Sequence, residues 1–166
     1  MKSYGMNTCD TTNGPGIRVS FWVSGCGHRC PGCHNPQSWD PKDGHEVTQE
    51  IAEAVVRSLK PDWIAGITWT GGDPLYPDNR EPMKALAQFV RERLPHKTQW
   101  LYTGYKWEDI KDLPIIEYLD VVVDGPYVEA LRDISHGYTG SRNQRIIDVK
   151  KSLKANKVVL YQFDKS

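Results

Sequence analysis

Three cysteines stand within eight residues in Cys26-Gly27-His28-Arg29-Cys30-Pro31-Gly32-Cys33, and His34 follows at once. Three soft thiolates on a Gly-containing loop can converge on one centre, and the C-x3-C-x2-C spacing admits four chemistries. A structural zinc site would take Cys26, Cys30, Cys33 and a histidine, but the second, well-separated ligand pair of such sites is missing. Cys30-Pro31-Gly32-Cys33-His34 matches the haem-attachment pattern C-x-x-C-H, which needs a translocated chain and a distal axial ligand. Cys30 and Cys33 alone would make a dithiol redox pair and leave Cys26 idle. The fourth chemistry is an iron–sulfur cluster. A four-iron cluster normally takes four thiolates, so three would leave one iron open to a small molecule. Cys9 lies outside the motif and reads as a small buried residue or a free thiol.

These side chains need elements to aim them. Ile17, Val19, Phe21 and Val23 alternate with Arg18, Ser20, Trp22 and Ser24, which is a strand period. Residues 48–59 read as a helix capped by Thr48, with Ile51, Val55 and Leu59 on one face and Pro61 as the stop. A second strand covers Ile64 to Thr70. Asp78 or Asn79 then caps a helix carrying Met83, Leu86, Ala87, Val90 and Leu94 at helical spacing, ended by Pro95. A third strand runs about 98–103, helical turns follow near 107–118, and residues 119–124 read as a buried strand. Weaker strand patterns lie near 145–149 and 158–163.

Strands alternating with helices predict βαβ units and a parallel sheet. A closed eight-stranded barrel needs about 250 residues, and the chain has 166. The expected fold class is therefore α/β, a partial, open (β/α) barrel of about five to six mostly parallel strands, in one domain over 1–166. Each of the first four strands runs into a glycine: Ser24-Gly25-Cys26, Thr70-Gly71-Gly72-Asp73, Thr103-Gly104-Tyr105 and Asp124-Gly125-Pro126. In parallel α/β folds ligands bind at the C-terminal strand ends, where glycine lets backbone approach them. One such glycine can simply turn the chain, but four in succession, one beside the cysteines, point to a site.

Composition bounds the rest. The chain has 21 Lys and Arg against 21 Asp and Glu, so a general nucleic-acid or anionic-membrane binder is not expected. No apolar run approaches the ~20 residues of a membrane span, and the N-terminus lacks a signal-peptide core, so the cytoplasm is the default compartment. The balance hides an asymmetry: residues 136–166 hold seven basic and two acidic residues.

The combination of C-x3-C-x2-C after the first strand and Thr70-Gly71-Gly72-Asp73-Pro74 after the second resembles the radical S-adenosylmethionine (SAM) enzymes. More narrowly, the chain is similar to the small activating enzymes of anaerobic (class III) ribonucleotide reductase, phage-borne members included. The likeness runs through Asn13-Gly-Pro-Gly-x-Arg18, the cysteine loop, Thr70 to Tyr76, Thr103-Gly-Tyr105, residues 120–125 and Gly140-Ser-x-Asn-Gln-Arg145. It implies a [4Fe-4S] cluster on Cys26, Cys30 and Cys33, whose open iron takes the amine and carboxylate of SAM. One electron from a low-potential donor then cleaves SAM to methionine and a 5′-deoxyadenosyl radical, which removes a hydrogen from a glycine Cα of the reductase large subunit.

The same resemblance sets expectations for individual residues. Gly71, Gly72 and Asp73 would receive the methionine amine, where relatives often have Gly-Gly-Glu. Gly32 occupies a position that is often aromatic, which leaves adenine to backbone and neighbouring side chains, with His34 a candidate. Asp124 either orders the peptide substrate or a ribose hydroxyl or caps a turn, and Arg18 either supports the site or pairs with an acid. The six tryptophans divide between docking and core, with Trp69 assigned to core. The basic stretch from Arg142 to Lys157 is either a partner contact or a solvated face. Two other functions stay in view: a zinc-bound interaction module, and a radical SAM enzyme with a different substrate. Monomer, homodimer and stable complex with the reductase all remain open.

Overall fold

The computed structural model describes residues 1–135 and 137–164. The first strand, β1 (Lys2–Asp10), pairs antiparallel with β2 (Ile17–Val23), and the two-residue β3 (His45–Glu46) adds to its outer edge. Inward from β2 the sheet turns parallel: β2 with β4 (Ile64–Gly71), β4 with β5 (Thr98–Tyr102), and β5 with β6 (Val121–Asp124). The antiparallel β7 (Arg145–Asp148) closes the order β3-β1-β2-β4-β5-β6-β7, and the sheet stays open.

The chain is thus mixed α/β, with seven strands rather than five or six and the expected parallel order confined to the central four. The extra strands are β1 and β3. β1 escapes sequence reading because it has no apolar alternation: its buried residues are Ser3 and Asp10. In the other direction, residues 158–163 form no strand. They contribute a single bridge between Leu160 and Ile147 and a hydrogen bond from the Tyr161 amide to the Ile146 carbonyl (2.8 Å).

Helices α1 (Gln49–Leu59) and α2 (Arg80–Arg93) make the crossovers and pack on each other. Thr48 caps α1 as expected, its hydroxyl accepting from the Ile51 amide at 3.3 Å. A cap contributes about 1 kcal/mol, whereas each large apolar side chain buried under α1 contributes about 1.5–3 kcal/mol. Packing of Val55, Val56 and Leu59 therefore holds this helix more than its cap does. Asn79 precedes α2 but does not cap it: its amide donates to the carbonyls of Ser24 (2.8 Å) and Asp73 (3.3 Å), joining two loops instead.

The chain after β5 forms α3 (Trp107–Ile110) and a 3-10 turn (Pro114–Tyr118), and α4 (Val149–Ala155) follows β7. Trp69 is fully buried, as expected, with its indole N–H on Gln99 Oε1 (2.9 Å), and Trp100 and Trp107 are also buried, whereas Trp63 is exposed. Among the described residues no helix is long and apolar enough to cross a membrane.

Candidate functional site

Because β2, β4, β5 and β6 run parallel, their C-terminal ends share one edge of the sheet. A cleft of about 240 Å3 opens at that edge. Cys26, Cys30, Cys33 and His34 line it together with Thr70, Gly71, Gly72 and Asp73. The two motifs singled out by spacing are thus brought together across one cavity.

Backbone hydrogen bonds fix this juxtaposition. Gly72 N donates to Val23 O (2.8 Å) and Asp73 N to Gly25 O (2.7 Å), so the loop after β4 lies directly on the loop after β2. A Cβ on Gly72 would stand 2.6 Å from Gly25 O and 2.8 Å from Ser38 O, so only glycine permits this approach. The cysteine loop is held in turn by Gly25 N to Ser38 O (2.7 Å) and Cys26 N to Trp39 O (3.1 Å). Cys33 Sγ accepts from the Asn35 amide at 3.4 Å. All three thiols are half-buried. Burial pushes the Cys26 thiol up from its ordinary value, and a bound cation would reverse that by stabilising the thiolate.

The donor set is three thiols on one loop with no carboxylate among them, which suits iron with sulfide far better than a hard cation. Among the described residues no three His, Cys, Asp or Glu side chains are grouped to hold a single metal ion. The free thiol of Cys9 is exposed, and this residue does not line the cleft.

Asp73 is 1% exposed, and both carboxylate oxygens are occupied. Oδ1 accepts from the Leu75 amide (2.8 Å), Oδ2 accepts from the Gly104 amide (2.9 Å), and the Thr103 hydroxyl lies 2.9 and 3.0 Å from the two oxygens. His28 Nε2 meets Oδ2 at 2.7 Å. The protein's own donors therefore saturate the Asp73 carboxylate.

Gly32 sits at φ +79°, and a Cβ there would meet Glu129 Oε2 at 2.1 Å. The space that an aromatic side chain would need is taken by Glu129, which receives the Tyr127 hydroxyl at 2.6 Å. Tyr127 lines the cleft, its ring 5.6 Å from that of His34 and tilted by 51°. The segment between β6 and β7 thus closes over the cysteine loop.

Two expected residues stand apart from the cleft. Asp124 is buried at the end of β6, where its carboxylate takes the Trp107 amide (2.8 Å) and the Arg145 guanidinium (2.6 Å). It caps the start of α3 and anchors Arg145, which also pairs with Glu108 (3.0 Å). Arg18 is 1% exposed near the opposite end of the strands and bonds neutral groups: Thr68 Oγ1 (2.9 Å), Thr98 Oγ1 (3.0 Å) and Ile67 O (2.9 Å). Trp100 stacks beneath it, 5.6 Å from ring centroid to guanidinium. Burial lowers its pKa to about 10.

Sequence reasoning assigned no role to His28, Tyr127 or Glu129, and Gln144 fell within the basic stretch read as a partner contact or a solvated face. His28 had a signal in its position between Cys26 and Cys30. Gln144 lies in a quoted motif and proves to tie its own loop, accepting from Gly140 N (2.8 Å) and donating to Gly125 O (3.1 Å). Nothing in the spacing could mark Tyr127 and Glu129, which arrive from nearly 100 residues away.

A family model described as a 4Fe-4S single cluster domain matches residues 12–147. The anaerobic ribonucleoside-triphosphate reductase-activating protein of Enterobacteria phage T4 is 45% identical over 138 residues, 83% of this chain and 88% of that protein. The proteins of the same name from Vibrio cholerae and Escherichia coli are 38% identical over 141 residues and 37% identical over 139. They cover 82% and 81% of this chain, and 91% and 90% of their own lengths.

Proposed function

The chain belongs to the family of anaerobic ribonucleoside-triphosphate reductase-activating proteins, and from that membership we propose that it installs a glycyl radical on the large subunit of such a reductase. It is an oxidoreductase of the radical SAM class and uses a [4Fe-4S] cluster and SAM. The observation that carries the reading is the one cleft that Cys26, Cys30 and Cys33 line together with Gly71, Gly72 and Asp73.

Cys26, Cys30 and Cys33 would hold three irons and leave the fourth to SAM. When bound, the cluster would supply the one electron, drawn from a low-potential donor, that reductive cleavage of SAM requires, and that cleavage would serve removal of one hydrogen atom from a glycine Cα of the reductase. The chain's own residues bind and seal. The backbone carbonyls of Gly71 and Gly72 would accept the methionine ammonium, since the carboxylate and the carbonyl of Asp73 already hold the protein's own donors. His34 and Tyr127 supply ring surface for adenine beside Gly32, where Glu129 fills the volume of the missing aromatic. The segment over the cleft limits water and keeps the radical from side reactions. The open seven-stranded sheet serves as the partial barrel of this class, residues 1–166 act as its single domain, and the unclosed edge admits a large protein substrate.

Protein purified without oxygen should be brown, bind about four irons, and after reduction convert SAM to methionine and 5′-deoxyadenosine. Cys26→Ala, Cys30→Ala and Cys33→Ala should each abolish cleavage, while Cys9→Ala, on an exposed residue outside the cleft, should retain it. Stoichiometric zinc without iron or sulfide would instead support an interaction module. Cleavage surviving in any of the three alanine variants would defeat the ligand assignment.

A further inference from the structure

Three loops meet at one carboxylate behind the cleft. The loop after β2 sends His28, whose Nε2 lies 2.7 Å from Asp73 Oδ2. The loop after β4 carries Asp73 itself and returns the Leu75 amide to Oδ1 (2.8 Å). The loop after β5 sends the Thr103 hydroxyl and the Gly104 amide (2.9 Å). His28 is gripped on its other sides. Its ring meets Tyr105 edge-on at 4.5 Å between centroids, and Arg80 lies over that tyrosine at 5.2 Å. A Cβ on Gly104 would stand 2.5 Å from His28 Cδ2 and 2.7 Å from Nε2, so glycine there makes room for the imidazole.

We infer that Asp73 and His28 form a clamp that sets the position of the cysteine loop, so that Asp73 acts as a positioning residue and not as a side-chain ligand of SAM. The clamp rests on the proposed function for its purpose, and on geometry alone for its existence. A carboxylate with four donors already in place, 1% exposed, has little left to offer an ammonium group. His28 lies between Cys26 and Cys30, so a bond to its ring restrains both ligands at once. The aspartate length fits as well. Its oxygens already meet amides fixed on two strand-end loops, so one more methylene would push the carboxylate through them. Hydrogen bonds to charged groups are the strong ones, and buried ones hold their segment against local opening.

The first test uses the full chain without metal, and therefore does not depend on the reading of its function. Hydrogen exchange should show the amides of Cys26 and Cys33, which donate to Trp39 O and Cys30 O, protected within residues 26–34 of the unaltered chain. His28→Ala and Asp73→Asn should each weaken that protection roughly tenfold or more, as loss of a charged hydrogen bond implies. Gly104→Ala alters neither partner and should reproduce the effect by displacing the imidazole. In a His28→Ala background the same Gly104→Ala change should cost nothing further. Unchanged protection of residues 26–34 in both His28→Ala and Gly104→Ala, with folded spectra, overturns the clamp.

The second test uses anaerobic, cluster-loaded protein. The clamp predicts that His28→Ala and Asp73→Asn share one altered electron paramagnetic resonance spectrum of the reduced cluster and the same fall in iron retention, with KM for SAM within about threefold of normal. A rise of tenfold or more in KM for Asp73→Asn, with His28→Ala normal in KM and spectrum, would make Asp73 a direct ligand of SAM and refute the positioning role. Should the unaltered chain bind no iron at all, the proposed function fails while the exchange result still decides the clamp.

Discussion

Gly32 and Asp10 show how far single residues are committed in this molecule. Gly32 combines φ +79° with a wall of carboxylate where its Cβ would be. Gly32→Ala should cost about 1 kcal/mol or more for the left-handed backbone alone, and it should drive Glu129 and Tyr127 away from His34. A denaturant melt reads the first effect, and a raised KM for SAM reads the second. Asp10 is the acid-sensitive point at the other end of the sheet. Burial pushes its carboxyl upward, but hydrogen bonds from Ser20, Asn13 and Thr12 outweigh burial and hold it at about 2 against an ordinary 3.8. A depressed carboxylate pKa contributes stability that is complete above the unfolded value and is lost as pH falls. Stability should therefore decline between about pH 4 and pH 2, and Asp10→Asn should flatten that decline in urea melts taken across the range.

At the scale of elements, much of the site was legible because its chemistry is local. The cysteine spacing, the glycine after each parallel strand and the periodicities of α1 and α2 each depend on neighbouring residues. The illegible parts are those made by distant ones. β1 buries only Ser3 and Asp10, so it gives no hydrophobic period, and its place is set by pairing with β2. Asp124 read equally well as a turn cap or a substrate contact, and no local signal marked its ion pair with Arg145, which arrives on β7 (2.6 Å). Arg18 read either as a support for the site or as a partner for an acid, and among the described contacts its hydrogen bonds go to carbonyls and threonine hydroxyls of β4 and β5. It works as a rivet across three parallel strands. Arg18→Ala should destabilise by about 3 kcal/mol or more, because several buried acceptors lose their donor together, and the fall would be read as a lower denaturant midpoint. A variant as stable as the unaltered chain would show that these acceptors find other partners.

The molecule as a whole is an open sheet with one functional edge. Its central strands carry the Cys26–Cys33 loop and the loops after β4 and β5 at the same end, and Gly125, Tyr127, Gly140 and Gln144 of the excursion between β6 and β7 line the same cleft. The basic charge of residues 136–166 falls largely on α4 and its flanks, where Lys151, Lys154 and Lys157 are exposed, and Lys150 pairs with Asp120 at 3.2 Å. These lysines follow β7 in the chain, and none of them lines the cleft. The central claim is that this edge delivers a radical to a protein glycine, and electron paramagnetic resonance on the reconstituted pair tests it most directly. Cluster-loaded protein, SAM, a low-potential reductant and the cognate anaerobic ribonucleoside-triphosphate reductase should together yield a glycyl doublet, split by the single remaining Cα hydrogen, and Cys30→Ala should yield none. Cleavage of SAM by fully loaded protein with no glycyl signal on the reductase would contradict the account.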